Sequence, residues 1–507
     1  MRVLARIHIG LLSLGLVLAA CAPQQQQPTA ERASTLPAPA KTKFRSASEQ
    51  KLGDENHQKI IAKYGGVYDN ARLTSYVDAL GRDLAAVSEQ PGDKWTFTVL
   101  DNPTINAFAL PGGYVYVTRG LVALANSEAE LAGVIGHEIG HVTAGHSSLR
   151  QDRAAIATGA VLGAQILGAV LGADPQTLRG LAQLGQAAAG GVLASYSRDD
   201  ELAADNLGIR YLALGGYDPY AQADFLESMG AAAQLNARAA GKSYDPNATN
   251  FFASHPATGP RTRRAIEIAR QSGLAIPVGA NRDRESFLGA VDGILYGENP
   301  DQGFVRGQEF AHPKLRFAYR SPDGFRINNT PAAVIASGQG GARFVLDSGR
   351  GADGSLSAYI QRLWVPEISK QYRTAQLSTP RPQRINGLEA ASATTRIQVN
   401  NQVYDALLVA IRMDGKLYRL TGLSPRGAGL LPRMAEAART FRRLRASEAR
   451  QMSTRRVDVV TVRRGDTVAS LARRMKVDKL PEDRFRVLNA LKPSDTLRAG
   501  QKVKLVR

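Results

Sequence analysis

The sequence predicts an α+β fold that is divided among several domains. At roughly 100–200 residues per domain, a chain of 507 residues holds about three. Its 44% hydrophobic and 21% charged residues are ordinary for a folded chain. We expect a mainly helical domain with a small sheet at 43–275, a connector at 276–312, an antiparallel α+β domain at 313–447, and a small strand-helix-helix-strand unit at 456–507.

The N-terminus has the form of an export signal. An apolar stretch from Ile9 to Ala20 follows two arginines and is too short to span a bilayer comfortably. It ends in Leu18-Ala19-Ala20-Cys21, which resembles the cleavage site of bacterial lipoproteins. We therefore expect a lipoprotein signal peptide at 1–20. A plain secretory signal with an incidental cysteine is the alternative.

Cys21 is the chain's only cysteine, so it is better explained as a lipid anchor than as half of an internal disulfide. Ala22 rather than aspartate follows it, which by the lipoprotein rule implies sorting to an outer membrane. We expect a periplasmic protein that is held to the membrane through lipidated Cys21. Residues 21–42 combine a glutamine run with scattered Pro, Ala, Ser and Thr, and this composition predicts a flexible tether.

The stretch His137-Glu138-Ile139-Gly140-His141 carries the clearest chemistry of the chain. Residues four apart lie on one face of a helix, so both imidazoles can reach one metal ion. Glu138 can then take a proton from a water molecule at that metal. Asn126 or Ser127 is a candidate N-cap, and acidic residues occupy the first turn. The pattern predicts a zinc-hydrolase helix; an incidental surface helix is the alternative.

A zinc site of this kind needs a third protein ligand. A histidine ten positions after His137 is excluded because Ser147 stands there, and His146 is one position short. Glu201 on a later helix is the candidate, with Asp205 one turn on and able to orient a ligating imidazole. Two neighbouring carboxylates remain competitors for the metal: Asp199 and Asp200.

An apolar region separates the two motifs. Ala154 to Ala173 carries no charge over twenty residues, which meets the length criterion for a membrane span. Its alanine and glycine content makes membrane insertion weak. We expect residues 154–194 to form a soluble helical hairpin that shields the site, with a pair of membrane spans as the alternative.

Three further motifs accompany the metal helix and give a family resemblance. They are the run Asn106–Leu121, the lead Ser197-Arg198 into Glu201–Asp205, and Ser254-His255-Pro256 followed by Arg261. Together they resemble the HtpX, BepA and Oma-type zinc metalloproteases over roughly residues 45–275. The resemblance implies a zincin-type domain that holds one zinc ion per chain.

The same resemblance implies residue roles. The zinc ligands would be His137, His141 and Glu201, with Glu138 as general base. His255 and Arg261 would face the metal as further catalytic groups. Tyr114-Val115-Tyr116 would form a sheet edge to which an extended substrate adds as a strand. From its pattern alone this run is a strand entered through a Pro-Gly-Gly turn, and an ordinary core strand is the alternative.

The central region alternates strand-like runs with two helical segments. The predicted strands are Leu315–Tyr319, Ala342–Leu346, Ala390–Val399, Val403–Ile411 and Leu417–Thr421. Asp414-Gly415 is a strong hairpin signal between the last two. Helices fit Ser355–Val365 and Leu430–Leu444. No motif in this region indicates a function.

The net charge of +19 is concentrated near the C-terminus. Residues 451–507 hold fifteen Lys and Arg against six Asp and Glu, an excess of nine positive charges. Nucleic acid is the usual partner of such a patch, but an exported lipoprotein does not meet it. We therefore expect no nucleic-acid binding, and an anionic cell-wall polymer or lipid headgroup as the partner.

The basic tail has its own signature. Gly465-Asp466-Thr467 follows a first strand, and Gly500-Gln501-Lys502-Val503 enters the last. The pattern resembles a LysM module across 458–506, which implies binding to peptidoglycan. A small basic interaction domain is the alternative. Because the tail begins beyond Ser453, far from the metal motifs, we expect deletion of 454–507 to leave peptide cleavage nearly unchanged.

These features together predict an envelope zinc endopeptidase that cleaves unfolded, misfolded or misassembled envelope proteins and is tethered to peptidoglycan. A wall-binding scaffold or chaperone with a latent peptidase site is a second hypothesis. Direct hydrolysis of peptidoglycan is a third.

Overall fold

The structure is a computed structural model, and it describes residues 46–146, 196–241, 243–244, 258–271, 283–350, 354–370, 372–374, 377–399, 402–452 and 454–507. Several predictions lie outside these residues: the signal peptide 1–20, Cys21 and the tether 21–42, the apolar region 154–194, and His255. Within the described ranges, no helix is both long and apolar enough to cross a membrane.

The N-terminal unit packs helices around a small sheet. Its helices are α1 (Ala47–Lys63), α2 (Ala71–Ala86), α3 (Arg119–Leu124), α4 (Glu128–Thr143), α5 (Arg198–Leu214), α6 (Ala221–Ala239), α7 (Thr258–Gln271) and α8 (Arg284–Val291). Its strands are β1 (Thr96–Leu100), β2 (Ala107–Leu110) and β3 (Tyr114–Thr118). The strand order is β1-β3-β2.

Strand β3 lies in the middle of this sheet. It pairs in parallel with β1, where Tyr114 faces Thr96, and antiparallel with β2, where Tyr114 faces Leu110. The prediction that Tyr114-Val115-Tyr116 forms a sheet edge is therefore wrong, because β1 pairs with one side of β3 and β2 pairs with the other. The run is a buried core strand. Among the described strands, only β3 pairs with β2, so β2 is an outer strand.

The main hydrophobic core lies between this sheet and the helices. Helix α4 is buried along nearly its whole length and packs against α2, α5, α6 and the sheet. Helix α8 joins the same core through fully buried Phe287 and Val291. The described part of the predicted connector 276–312 is therefore no simple linker. Its first half completes the N-terminal core, and its second half forms two strands of the next unit.

The central unit is built on a large antiparallel sheet. Its strands are β4 (Phe304–Arg306), β5 (Glu309–His312), β6 (Phe317–Arg320), β7 (Arg326–Asn329), β8 (Val334–Ser337), β9 (Arg343–Gly349), β10 (Arg373–Thr374), β11 (Arg381–Ile385), β12 (Leu388–Val399), β13 (Gln402–Met413), β14 (Lys416–Pro425) and β15 (Arg442–Arg443). The large sheet has the order β10-β12-β13-β14-β9-β8-β7, and β11 also pairs with β12. A smaller sheet has the order β15-β6-β5-β4.

Each face of the large sheet carries helices. They are α9 (Leu356–Tyr359) and α10 (Val365–Ser369), joined by a π-helical turn at Ile360–Trp364, and α11 (Leu431–Arg439). A further helix, α12 (Ala446–Gln451), follows β15. Helix α11 buries Met434, Ala437 and Ala438 against one side of the sheet. Trp364 and its neighbours cover the other side.

The predicted strands of this unit all occur, with shifted ends. Asp414 and Gly415 have φ values of 51° and 70° and form the expected tight turn between β13 and β14. The predicted helix Leu430–Leu444 is too long. Helix α11 ends at Arg439 because Arg442–Arg443 pairs with β6 as an extended strand.

The C-terminal unit has the predicted strand-helix-helix-strand order. Its elements are β16 (Val457–Thr461), α13 (Val468–Ala472), α14 (Pro481–Leu488) and β17 (Lys502–Val506). The two strands pair antiparallel, and Leu471, Phe485, Val503 and Leu505 fill a small core. Val457 instead enters the core of the N-terminal unit.

Candidate metal centre

Helices α4 and α5 begin with side-chain caps that fix where their functional residues point. Ser127 caps α4, and its Oγ accepts from the amide of Glu130 at 3.2 Å. Ser197 caps α5 and forms a reciprocal capping box with Asp200 at 3.0 and 3.1 Å. The carboxylate of Asp200 is therefore used at the helix start, and Asp199 is exposed.

Glycine residues allow α4 and α5 to approach closely. A Cβ atom at Gly208 would lie 2.9 Å from the amide nitrogen of His137, and one at Gly136 would lie 3.3 Å from the Cα of Gly208. A Cβ at Gly140 would lie 3.2 Å from the carbonyl oxygen of Ala204. Because these positions carry no side chain, the middle of α5 lies directly against the second half of α4. This contact brings the two metal motifs together.

Three predicted ligands meet at this contact. The Nε2 atoms of His137 and His141 are 3.0 Å apart. Carboxylate oxygens of Glu201 lie 3.6 Å from the first and 3.5 Å from the second. Within the residues that the structure describes, this is the His, Cys, Asp and Glu group close enough together to hold a metal ion.

The donor set fits zinc in both chemistry and spacing. Ligand atoms at about 2.0–2.2 Å from a tetrahedral zinc ion lie about 3.3–3.6 Å from one another. The observed separations of 3.0–3.6 Å bracket that range. Two imidazoles and one carboxylate also form the protein ligand set of hydrolytic zinc sites that keep one position open. Glu138, the expected general base, is fully buried beside this group on α4.

His137 is oriented by a carboxylate on α5. Its Nδ1 lies 2.9 Å from Oδ1 of Asp205, which also accepts from Gln222 at 2.8 Å. Such a contact fixes the ring so that Nε2 points at the metal. Burial by itself raises the pKa of Asp205, but the charge and hydrogen bonds of Arg261 outweigh it and hold the pKa below its ordinary value. Asp205 therefore stays ionised.

Arg261 reaches the site from α7 but contacts the carboxylates. Its Nε and Nη2 donate to Asp205 at 2.8 and 2.6 Å, and its Nη1 lies 2.8 Å from Glu201. The guanidinium thus bridges the third ligand and the residue that orients the first. The resemblance implies that Arg261 faces the metal, and its Nη1 contacts the same Glu201 oxygen that lies 3.6 Å from Nε2 of His137. Its geometry suits positioning of the two carboxylates.

His146 and Tyr196 support the other histidine, and neither role was predicted. Nδ1 of His146 lies 2.9 Å from Nδ1 of His141. The ring of Tyr196 stacks on His141 with centroids 3.6 Å apart. Helix α4 ends at Thr143, and Gly145 with φ of 69° turns the chain back. A helix that continued past Thr143 would carry His146 away from the metal site, and this is why its spacing did not predict the contact. The glycine two residues after the helix was the available signal.

Comparison with known proteins agrees with this geometry. The family described as Peptidase family M48 matches residues 71–269. The chain is 33% identical to the metalloprotease YcaL of Escherichia coli over 208 residues, which cover 41% of this chain and 69% of that protein. The chain belongs to peptidase family M48.

Other members of the family match over a smaller share of their length. The beta-barrel assembly-enhancing protease of Escherichia coli is 31% identical over 207 residues, covering 39% of this chain and 42% of that protein. The mitochondrial metalloendopeptidase OMA1 of Schizosaccharomyces pombe is 28% identical over 221 residues, covering 43% and 60%. The matched part of the chain thus spans less than half the length of the beta-barrel assembly-enhancing protease. A LysM domain matches residues 460–506, which confirms the expected C-terminal module.

Proposed function

We propose that this member of peptidase family M48 is a zinc-dependent endopeptidase of the bacterial cell envelope. The observation that carries the proposal is the triangle of two imidazole nitrogens and one carboxylate, with Glu138 buried beside it. His137, His141 and Glu201 would hold the zinc ion, and Glu138 would be the general base.

The residues of the site divide the work of peptide hydrolysis. Zinc, when bound, supplies a Lewis acid that polarises the scissile carbonyl and lowers the pKa of a water molecule. Glu138 accepts the proton of the attacking water and passes it to the leaving amine. Asp205 and His146 hold the two histidine rings in place. Arg261 contacts both Glu201 and Asp205 and fixes the position of one carboxylate relative to the other.

The proposed substrates are misfolded or misassembled envelope proteins. The support is the family, which includes proteins named beta-barrel assembly-enhancing protease. An extended substrate needs an open strand edge, and β3 offers none. We assign that role to β2, because it is an outer strand among the described residues and packs against the metal helix.

The proposed location rests on the two ends of the chain. Lipidated Cys21 would anchor the protein to the outer membrane, and the LysM unit would bind peptidoglycan. Both contacts keep the protease in the periplasm.

Binding of the protein to purified peptidoglycan in high salt tests the LysM assignment. We expect specific glycan binding to survive about 1 M salt, where the Debye length is ~3 Å, and chitin fragments to compete with it. Loss of wall binding in salt, with no effect of chitin fragments, would reduce the unit to a polycation.

A second candidate function follows from the burial of the site. The exposed fractions of His137, Glu138, His141 and Glu201 are 3%, 0%, 0% and 1%. If this burial also keeps a peptide away from the metal, the protein would be a wall-binding scaffold or chaperone whose peptidase activity is latent until the site opens.

Metal analysis tests the ligand set. We expect about one zinc per chain for the full-length protein with Cys21→Ser. His137→Ala and Glu201→Ala lose the zinc, because three protein ligands leave no spare. Asp199→Ala is the matched control, since this residue is near Glu201 in the sequence but is exposed and lies outside the group of three ligands. Stoichiometric zinc in Glu201→Ala would move the third ligand to another residue.

A further inference from the structure

The LysM unit is joined to the peptidase domain by main-chain hydrogen bonds. The amide of Val457 donates to Ile294 at 2.9 Å, and the amide of Gly293 donates to Val457 at 2.8 Å. The amide of Tyr296 donates to Arg455 at 2.8 Å. Residues 293–296 therefore lie antiparallel beside the start of β16. This pairing depends on no single side chain.

The peptidase side of this pairing is itself held firmly. The amide of Leu295 donates to the hydroxyl of Tyr68 at 2.9 Å. Fully buried Arg119 donates from Nη1 to the carbonyl of Leu295 at 3.1 Å. Val457 is 1% exposed and belongs to the peptidase core. The premise that the tail is separable is therefore wrong, and deletion of 454–507 would open the core of the metallopeptidase domain.

A single lysine of the LysM unit enters the peptidase domain. Lys504 on β17 is fully buried, and its Nζ donates to the carbonyls of Ala123, Leu124 and Ala125 at 2.9, 3.1 and 2.5 Å. These carbonyls lie at the end of α3, where the helix leaves its acceptors unpaired and carries partial negative charge. Three acceptors match the three protons of an ammonium group.

Burying the ammonium group of Lys504 costs free energy, which opposes the gain from its three hydrogen bonds. Burial lowers its pKa well below the usual range, while the nearby carboxylate of Glu130 acts in the other direction. A buried cation is a poor way to gain stability compared with an apolar side chain. Its placement therefore indicates a specific role at the end of α3.

The residues that Lys504 holds lead directly into the metal helix. Ala125 is followed by Asn126 and by Ser127, the N-cap of α4. Arg284 donates to the carbonyl of Asn126 at 2.5 Å and to that of Lys502 at 3.4 Å. The amide of Asn126 donates to Glu130 at 2.9 Å. His137 follows nine residues after the first residue of α4, about 14 Å along a rigid, buried helix.

We propose that the LysM unit is a co-folded part of the peptidase domain, and that Lys504 is a positioning residue which sets the start of the metal helix and thereby the metal site. The proposal rests on the proposed zinc function. Its consequence is that a wall-bound chain presents its metal site at a fixed orientation to the wall. A flexible tether between the two units would allow any orientation.

One matched pair of substitutions tests the positioning role. Lys504→Met removes the ammonium group at similar length. Lys502→Met makes the same change two residues away on β17, at a half-exposed ion pair with Glu285. Zinc affinity is measured by chelator competition in the full chain carrying Cys21→Ser, and metal geometry by the absorption spectrum of the cobalt-substituted protein.

We expect Lys504→Met to weaken zinc binding about tenfold, the size of an ordinary coupling between sites, and to alter the cobalt spectrum. Lys502→Met should stay within about twofold, because its ion pair is exposed. A merely structural lysine would lower the unfolding midpoint and leave the spectrum and affinity unchanged. Equal zinc affinity in the two variants would overturn the positioning role.

A disulfide tests the docking even if Lys504→Met fails to fold. Leu295 and Arg456 face each other across the antiparallel bridge as a non-hydrogen-bonded pair. Such pairs have Cα atoms about 4.5 Å apart, within the range that a disulfide spans. Leu295→Cys with Arg456→Cys, in the Cys21→Ser chain, should oxidise fully under mild conditions with zinc affinity unchanged. Leu295→Cys alone is the control.

Thiols that stay free in the folded, zinc-loaded double variant would overturn the docking. Neither measurement depends on peptide hydrolysis. If the proposed enzymatic function is wrong, both results can still be obtained. If the docking proposal is wrong, the Glu138-dependent hydrolysis proposed above still stands.

Discussion

Replacing Gly208 with alanine tests the helix contact that assembles the metal site. The added Cβ would lie 2.9 Å from the amide nitrogen and 3.1 Å from the Cα of His137, and 2.7 Å from Oε1 of Gln222. Backbone atoms of α4 cannot rotate away, so α5 must shift by roughly 0.5 Å to restore ordinary contact distances of about 3.5 Å. That shift moves Glu201 away from the two histidines.

The change in the free energy of unfolding of Gly208→Ala follows from two opposing effects. Overpacking of a tight core costs about 1–3 kcal/mol, and the better helix propensity of alanine returns about 1 kcal/mol. We expect Gly208→Ala to be destabilised by up to about 2 kcal/mol and to bind zinc more weakly. Denaturant unfolding and chelator competition measure the two effects.

Gly230→Ala is the matched control for this prediction. Gly230 also lies inside a helix, α6, but a Cβ there would meet nothing within 4 Å. The same substitution should therefore stabilise the protein by about 0.5–1 kcal/mol and leave zinc binding unchanged. If Gly208→Ala is as stable as Gly230→Ala and keeps full zinc affinity, the glycine contact does not set the metal geometry.

Three further predictions concern other parts of the chain. Asp205→Asn should weaken zinc binding about 10–100-fold in chelator competition, because His137 loses the carboxylate that orients it; unchanged affinity would exclude that role. Burial lowers the pKa of His312 to about 4, with Lys416 and Lys314 adding to this effect and Asp301 opposing it. The unfolded chain, with a His pKa of about 6.5, then takes up the proton first, so stability is present above pH ~6.5 and is lost as the pH falls towards 4. His312→Asn should flatten this part of the unfolding curve, and an unchanged slope would contradict the argument. Cys21→Ser should move the protein from the membrane to the soluble periplasmic fraction; membrane association that persists in high salt would implicate 154–194.

The sequence predicted the local chemistry better than the spatial arrangement. The spacing of His137 and His141 places both on one helix face, and Ser127 lies where a helix of that register needs its cap. Spacing alone did not decide whether Glu201, Asp199 or Asp200 is the third metal ligand. It cannot show which carboxylate caps the helix and which faces the metal. The capping box of Asp200 decides that point.

Long-range contacts account for what the sequence alone could not predict. The sequence pattern of β3 is the same for an edge strand and a central strand. Only its parallel pairing with β1 shows that it is central. Arg261 and His146 take their places from the packing of α7 and from the turn at Gly145, neither of which is encoded near the metal motif. Lys504 was counted as one charge of a basic tail, although it is buried in the peptidase domain nearly 380 residues after its carbonyl partners.

Glu138→Gln gives the most direct test of the proposed peptidase, with zinc content and hydrolysis of an unfolded protein measured on the same sample. The amide keeps the size of the side chain and removes its capacity as a base. We predict about one zinc per chain, as in the parent protein, together with a loss of hydrolysis of about a hundredfold or more. Undiminished hydrolysis by the zinc-loaded Glu138→Gln protein would contradict the assignment of this site as the peptidase centre.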